Sequence, residues 1–277
     1  MMETITSPAN PRVKHAAALR SAGERRQTGL TLVDGLREIA RAAAAGVDFV
    51  EVFVAAEPRE DDARATERAA CLEACAARGA EVVRLGPRAL EKLAFGDRDE
   101  GVVAVVRFAP RSLGDVSFPA GRPVLVAEGV EKPGNLGAIL RTVDAAGLGG
   151  VIVCDGGTDA ANPAVIRASL GTVFGVPLAA ATAAEAIAWC RGQSRRVVAA
   201  TPEGHAAWHT ARLAGDTAIV VGSEADGLSA AWQEAATAGT IQLQTVRLPM
   251  RGIADSLNVS ATVAVLAYEA VRQELPR

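Results

Sequence analysis

Residues Leu248 to Gln273 read LPMRGIADSLNVSATVAVLAYEAVRQ, and the reading of this stretch decides the fold. Pro249 breaks the end of a strand, since proline brings no N–H to a ladder. A loop with Gly252 follows, then the polar turn Ser256-Leu257-Asn258, then a helix of small and apolar residues. Ser256, Asn258 and Ser260 crowd the helix start, where side-chain oxygens cap free backbone N–H groups. From Val259 to Val271 the helix is apolar on nearly every face, which predicts burial all round. Taken by itself, the stretch fits a capped core helix as well as a turn that meets a ligand.

Upstream of it, apolar runs alternate with helical patterns. Strands are predicted at Val124–Ala127, Val151–Cys154, Val197–Ala200, Ala218–Gly222 and Ile241–Leu248. Helices are predicted at 136–147, 163–170, 182–191, 228–238 and 258–273. Continuous apolar strands between helices predict a parallel sheet covered on both faces. Ligands of such folds sit beyond the carboxyl ends of the strands, and the unusual sequences fall there. One strand end reads Glu128-Gly-Val-Glu-Lys-Pro-Gly-Asn135-Leu-Gly137-Ala-Ile-Leu-Arg141. Asn135 and Arg141 need not share a helix face, but both point into one cleft if Asn135 lies in the loop. Gly134 and Gly137 leave room for another backbone or a ligand. The spacing is neither the dinucleotide G-x-G-x-x-G nor a P-loop. A second end reads Val220-Val-Gly222-Ser-Glu224-Ala-Asp-Gly227-Leu-Ser229, with a carboxylate two residues after the glycine. Its plain alternative is a glycine-rich turn leading to a helix at Ser229.

In the first half, a strand ends at Asp34-Gly35 and helix 36–45 follows. Strand 49–54, helix 61–78, strand 81–85, short helix 87–93 and strand 102–108 complete a compact unit of βαβ character. Residues 109–123 hold three prolines and two glycines without periodicity, which marks the domain boundary. Residues 1–110 form one expected domain, 111–122 the linker and 123–277 the second domain.

The 277 residues are 49% hydrophobic and 22% charged, the balance of a folded globular protein. The N-terminus lacks the apolar core of a signal peptide and no apolar run is long enough to span a membrane, so the cytoplasm is expected. Cys71, Cys75, Cys154 and Cys190 show no zinc spacing. His205 and His209 lie four apart without the Glu of a zincin, so no metal is expected. The three tryptophans are expected in packing. The net charge of −3 hides a basic opening, in which Arg12, Lys14, His15, Arg20, Arg25 and Arg26 face only Glu3 and Glu24. Such a face suits phosphates, and equally an ordinary solvated helix.

Three segments together carry a resemblance: EKPGNLGAILRTVDAAG, VVGSEADGLS and LPMRGIADSLNVSATVAVLAYE. In order, they resemble the three motifs of the SpoU/TrmH family of RNA ribose 2′-O-methyltransferases, over Pro123 to Gln273. Asn162 to Gly171 looks like the family's intermediate helix. The opening ITSPANPRVKHAAAL and LTLVDGLREI are similar to the L30e-like substrate-binding domain of ribosomal-RNA members, with Asp34 where many relatives have Glu. The resemblance implies an α/β fold with a trefoil-knotted parallel sheet, a homodimer, S-adenosylmethionine as cofactor and RNA as substrate. Ribosomal RNA is favoured, with a transfer-RNA enzyme or a catalytically silent RNA-binding relative as alternatives. It places the cofactor against Thr201, Gly222, Leu248, Met250 and Leu257, and substrate handling at Asn135, Arg141, Glu224, Ser256 and Asn258, with Glu224 expected to hold Arg141. Arg12, Lys14, Arg25 and Arg26 are the expected RNA contacts.

Overall fold

The computed structural model describes residues 4–56, 63–95 and 100–275. The chain divides into two compact units, residues 1–109 with 159–175, and 110–158 with 176–277.

The first unit runs β1 (Thr4–Ile5), α1 (Pro11–Ala18), α2 (Ala22–Thr28), β2 (Leu30–Asp34), α3 (Leu36–Ala44), β3 (Phe49–Ala55), α4 (Ala65–Ala76), β4 (Glu81–Leu85), α5 (Pro87–Glu91) and β5 (Val102–Arg107). Its sheet has the order β1-β4-β3-β5-β2. β5 is antiparallel to both β2 and β3, while β3, β4 and β1 are parallel. α1 starts where its pattern says it should: the Asn10 side chain accepts the Arg12 N–H, and Pro11 occupies the first turn, where no N–H is needed. Its apolar face, Val13, Ala16 and Leu19, packs with Ala89, Leu90 and Leu93 over Leu32, Phe53, Val103 and Val105. The helix expected over 61–78 is seen as α4, and Asp61 lies outside the described residues.

The second unit begins with β6 (Arg111–Ser112), β7 (Val124–Glu128), α6 (Pro133–Ala146) and β8 (Gly150–Cys154). After α7 (Pro163–Ala168), which belongs to the first unit, come β9 (Leu178–Ala181), α8 (Ala183–Gly192), β10 (Arg196–Ala200), β11 (Ala206–Ala207), β12 (Thr217–Val221), α9 (Ala230–Thr237), β13 (Leu243–Arg247) and α10 (Val259–Glu274). The strand order is β11-β13-β10-β12-β7-β8-β9-β6, and every pairing is parallel. The central strands VLVAE, GVIVC and TAIVV are buried at every position, as a sheet covered on both faces requires. The stretch read as a linker is built in: β6 pairs with β9, and the Phe118 ring meets Trp189 edge-on at 5.2 Å.

Two placements depart from the sequence reading. Residues 159–175 read as part of the second domain but pack in the first unit. There the Thr31 hydroxyl donates to the Ala161 carbonyl at 2.5 Å and Arg41 donates to the Leu170 carbonyl at 2.8 Å. α10, expected to be buried all round, is buried on one face only within the described chain. Val259, Val263, Leu266, Ala267 and Ala270 are covered, whereas Ala261 is exposed and Tyr268 is 53% exposed. Apolar composition fixed the helix; the geometry of its neighbours, chiefly α6, fixed how much of it is covered.

Candidate active site

At the carboxyl edge of the second sheet, three strand ends converge. β7 ends in Glu128, 5% exposed, whose Oε2 accepts the Ser229 N–H at 3.1 Å and the Trp232 indole N–H at 3.0 Å. That one carboxylate ties the first strand end to the start of α9. β12 runs into a closed turn in which Ser223 N–H donates to Gly227 O at 3.0 Å and Gly227 N–H donates back to Ser223 O at 3.2 Å. A Cβ on Gly222 would overlap the Gly227 carbonyl, so the glycine is demanded by its own turn. Gly204, which the sequence reading passed over, is demanded in the same way: a Cβ there would overlap the Val246 carbonyl of β13. Its only signal in sequence is the turn-like Pro-Glu-Gly beyond Thr201.

A cavity of about 950 Å³ opens between these ends. All five expected cofactor positions, Thr201, Gly222, Leu248, Met250 and Leu257, line it, together with Glu224 and Ser256. Its walls combine apolar side chains with the carboxylates Glu203, Asp226 and Asp255. Apolar faces beside backbone N–H and C=O groups suit an adenine ring, and carboxylates suit a ligand carrying sulfonium and ammonium charges. The residues present therefore fit S-adenosylmethionine.

Beside the cavity, Asn135, Glu224 and Asn258 form one hydrogen-bonded cluster. Asn135 Nδ2 donates to Glu224 Oε1 at 2.9 Å, and Asn258 Nδ2 donates to the same oxygen at 2.7 Å and to Asn135 Oδ1 at 3.1 Å. The other end of Asn258 caps α10, its Oδ1 accepting from Ser260 N at 3.0 Å and from the Ser260 hydroxyl at 2.6 Å. The capped helix start read from the sequence is present, and the cap is also a member of the cluster. Lys132 donates to Glu224 Oε2 at 2.8 Å. The ammonium of Lys132, followed by Asn135 and the Val259 N–H, holds the Glu224 carboxyl below its ordinary value.

Arg141 stands apart. Asn135 lies inside α6, not in the loop, so six residues turn Arg141 about 120° around the helix from it. Arg141 is exposed and makes no hydrogen bond or ion pair among the described residues. The expected Glu224–Arg141 pairing is thus corrected: Lys132, Asn135 and Asn258 occupy the carboxylate.

In the first unit the four expected RNA contacts separate. Lys14 and Arg26 are exposed. Arg12 is bound to Glu51 at 2.6 Å and Glu81 at 2.8 Å. Arg25 is 5% exposed and donates to the carbonyls of Leu19 at 3.0 Å and Arg20 at 2.8 Å, and to Asp159 at 2.7 Å. A side chain so buried, with both terminal nitrogens engaged inside the fold, cannot meet a phosphate, and the expectation for Arg25 is corrected. The four thiols are free and buried; burial pushes the Cys190 thiol up to about 12 and raises Cys154 as well, which makes them inert. β11 separates His205 from His209, so their spacing is not that of one helix face. Among the described residues no helix is long and apolar enough to cross a membrane.

Comparison with known proteins gives the same outline. The family described as SpoU rRNA methylase matches residues 122–268, and the MRM3-like substrate binding domain matches residues 10–104. The chain is 33% identical over 207 residues to the 23S rRNA (guanosine-2′-O-)-methyltransferase RlmB of Xanthomonas axonopodis pv. citri, covering 72% of this chain and 80% of that one. It is 28% identical over 281 residues to the 23S rRNA (adenosine(1067)-2′-O)-methyltransferase of Streptomyces azureus, covering 99% and 97%. Among solved structures, the AdoMet-bound rRNA methyltransferase from Sinorhizobium meliloti superposes with a TM-score of 0.84 at 26% identity, over 99% of both chains.

Proposed function

Because this chain belongs to the SpoU rRNA methylase family, we propose that it methylates a ribose 2′-hydroxyl in a structured segment of ribosomal RNA, using S-adenosylmethionine. The observation that carries the reading is the Asn135–Glu224–Asn258 cluster set at the edge of a cavity that fits the cofactor. Among relatives matched along nearly their whole length, the Streptomyces azureus enzyme is named for 23S rRNA and the Sinorhizobium meliloti enzyme for rRNA. The matched substrate-binding domain supplies a second surface for a large RNA.

Thr201, Gly222, Leu248, Met250 and Leu257 hold the cofactor, which when bound supplies an electrophilic methyl group on a sulfonium. Aligning a ribose hydroxyl with that methyl contributes about 7–11 kcal/mol to lowering the barrier. Asn135, Ser256 and Asn258 orient the sugar. Glu224 already accepts from three side chains and one backbone N–H, so its work is to fix Asn135 and Asn258 and it does not take the proton. Arg141 cannot take it either, since a charged guanidinium has no acceptor. Its role is to stabilise the developing alkoxide, while the hydroxyl proton passes to solvent water. Lys14 and Arg26 grip phosphates without reading sequence.

The knot, the homodimer and a cytoplasmic location belong to the same proposal. In favour of the knot, β13 lies between β10 and β11, so a later strand occupies the gap inside the connection of two earlier ones. Gly204 lies against the Val246 carbonyl of β13, and Gln273 ties the end of α10 to Ala211, Leu213 and Ala214. In favour of the dimer, α10 leaves Tyr268 uncovered, and Arg141 lies away from the cluster of its own chain. Mapping 2′-O-methylation across ribosomal and transfer RNA with and without the gene tests the reading. Loss of one ribosomal site is expected. Loss at a transfer-RNA site instead would reassign the substrate, and unchanged maps would overturn the activity.

A further inference from the structure

Two clefts share one wall in the second unit. The large cavity and a smaller one of about 200 Å³ are both lined by Ser223, Glu224, Ala225 and Val259, and the smaller is completed by Gly129, Val130, Glu131, Lys132 and Asn135. Glu224 is the hub of that wall. Its Oε1 is shared by Asn135 from α6 and Asn258 from the start of α10, and among the described side chains its Oε2 is held by Lys132. Asn258 is the cap of α10, and Ser256 and Leu257, which line the large cavity, are the two residues before it. The Glu224 carboxylate is therefore bonded to the residue that directly follows the Ser256–Leu257 turn.

We propose that Lys132 is a positioning residue for methyl transfer: by pinning Glu224 Oε2 it fixes the Asn135–Asn258 clamp and, through it, the Ser256–Leu257 wall of the cofactor cavity. The inference rests on the methyltransferase reading above. Its stability share is small, because the Lys132 side chain is 73% exposed and exposed ion pairs contribute little. A residue of this kind is visible in function and nearly silent in folding.

The groups facing Glu224 are few. The stretch leading into α6 offers Lys132, with Glu131 acting on Lys132; α6 itself offers neutral Asn135; α10 offers neutral Asn258 and the Val259 N–H. Asp226 belongs to the same turn as Glu224 and lines the large cavity. Lys132 is thus the cation bonded to Glu224 among the described residues, and its hydrogen bond is the largest influence holding that carboxyl low. Its removal moves Glu224 protonation to higher pH, and the acid limb of the activity profile moves with it.

Lys132→Met and Lys132→Arg distinguish positioning from a surface role, with four readouts on the full chain: thermal unfolding, S-adenosylmethionine binding, transfer kinetics against pH and salt, and carboxyl-carbon NMR titration of Glu224. For Lys132→Met the melting temperature stays at the wild-type value, the Glu224 titration and the acid limb both move up, and kcat falls about tenfold, as for loss of a partner that orients a site residue. Lys132→Arg restores most of the rate. A Glu224 titration that does not move in Lys132→Met would overturn the proposal. So would a change confined to KM for RNA and its salt dependence, which would make Lys132 a phosphate contact. If the wild-type chain methylates no RNA, the functional reading fails on its own, and the NMR titration still decides the fate of Lys132.

Discussion

Arg25 of the first unit, in the polar run GERRQ, and Arg141 of the second unit, in the apolar run AILRTV, are both cations in stretches marked for RNA. In the fold they part. Arg25 is buried, with donors used by two carbonyls and Asp159, whereas Arg141 is exposed and makes no bond among the described residues. The difference carries over to the units around them. The first unit spends Arg12, Arg25 and Arg167 on its own architecture, Arg167 meeting Asp34 at 3.3 Å and donating to the Phe95 carbonyl. The second unit keeps polar groups at strand ends, where they surround a cavity. A cation is available to a substrate only after the fold has used what it needs.

The sharpest way to break this comparison is Arg141→Ala. Transfer should fall about a thousandfold, the scale of removing one preorganised charge-stabilising donor. Cofactor binding measured by calorimetry should stay near wild type. Equal loss of both would place Arg141 among the structural arginines.

Arg25→Ala should act in the opposite sense. It strips Asp159 of its partner and leaves two carbonyls short of a donor. A destabilisation of about 3 kcal/mol is expected from denaturant unfolding. An Arg25→Ala chain of full stability with weakened RNA affinity would erase the contrast between the two arginines.

Asp34 sharpens the same point through pH. Burial, opposed by the Phe95 N–H and by Arg167, pushes its carboxyl up to about 6. A carboxyl raised on folding favours the folded state below its unfolded value near 3.8, and that contribution is lost as pH rises to about 6. Asp34→Asn carries no charge to lose. Relative to wild type, the variant should gain on the order of 2 kcal/mol between pH 4 and pH 7 in paired unfolding curves. A constant difference across that range would show that Asp34 ionises at no cost. The smallest effect belongs to Lys14→Ala. It should leave stability within about 0.5 kcal/mol and lower the salt slope of RNA binding by about 1. An unchanged slope would remove Lys14 from the RNA surface.

Much of this was legible in the chain. Runs such as VLVAE and TAIVV announce strands buried on both faces, and the Ser256–Ser260 cluster announces a capped helix. β9 escaped because its sequence, Leu-Ala-Ala-Ala, carries neither β-branched residues nor alternation. The motifs marked Asn135 and Asn258, which the fold joins to Glu224, but gave no sign of Lys132, whose partner Glu224 is 92 residues away along the chain. Residues 159–175 gave no sign of packing with β2, since nothing local encodes which unit a short helix joins.

By itself, then, the sequence determined the alternation of strands and helices, the parallel second sheet and the three polar strand ends, because periodicity and capping are local properties of side chains. The tertiary structure alone decided which carboxylate held which donor, which arginines were consumed by the fold, and how much of α10 was covered. Those outcomes depend on residues brought together from distant parts of the chain. The stretch from Leu248 to Gln273 shows both: its cap can be read from Asn258 and Ser260, while the hold of that cap on Glu224 and Asn135 exists only in the folded molecule.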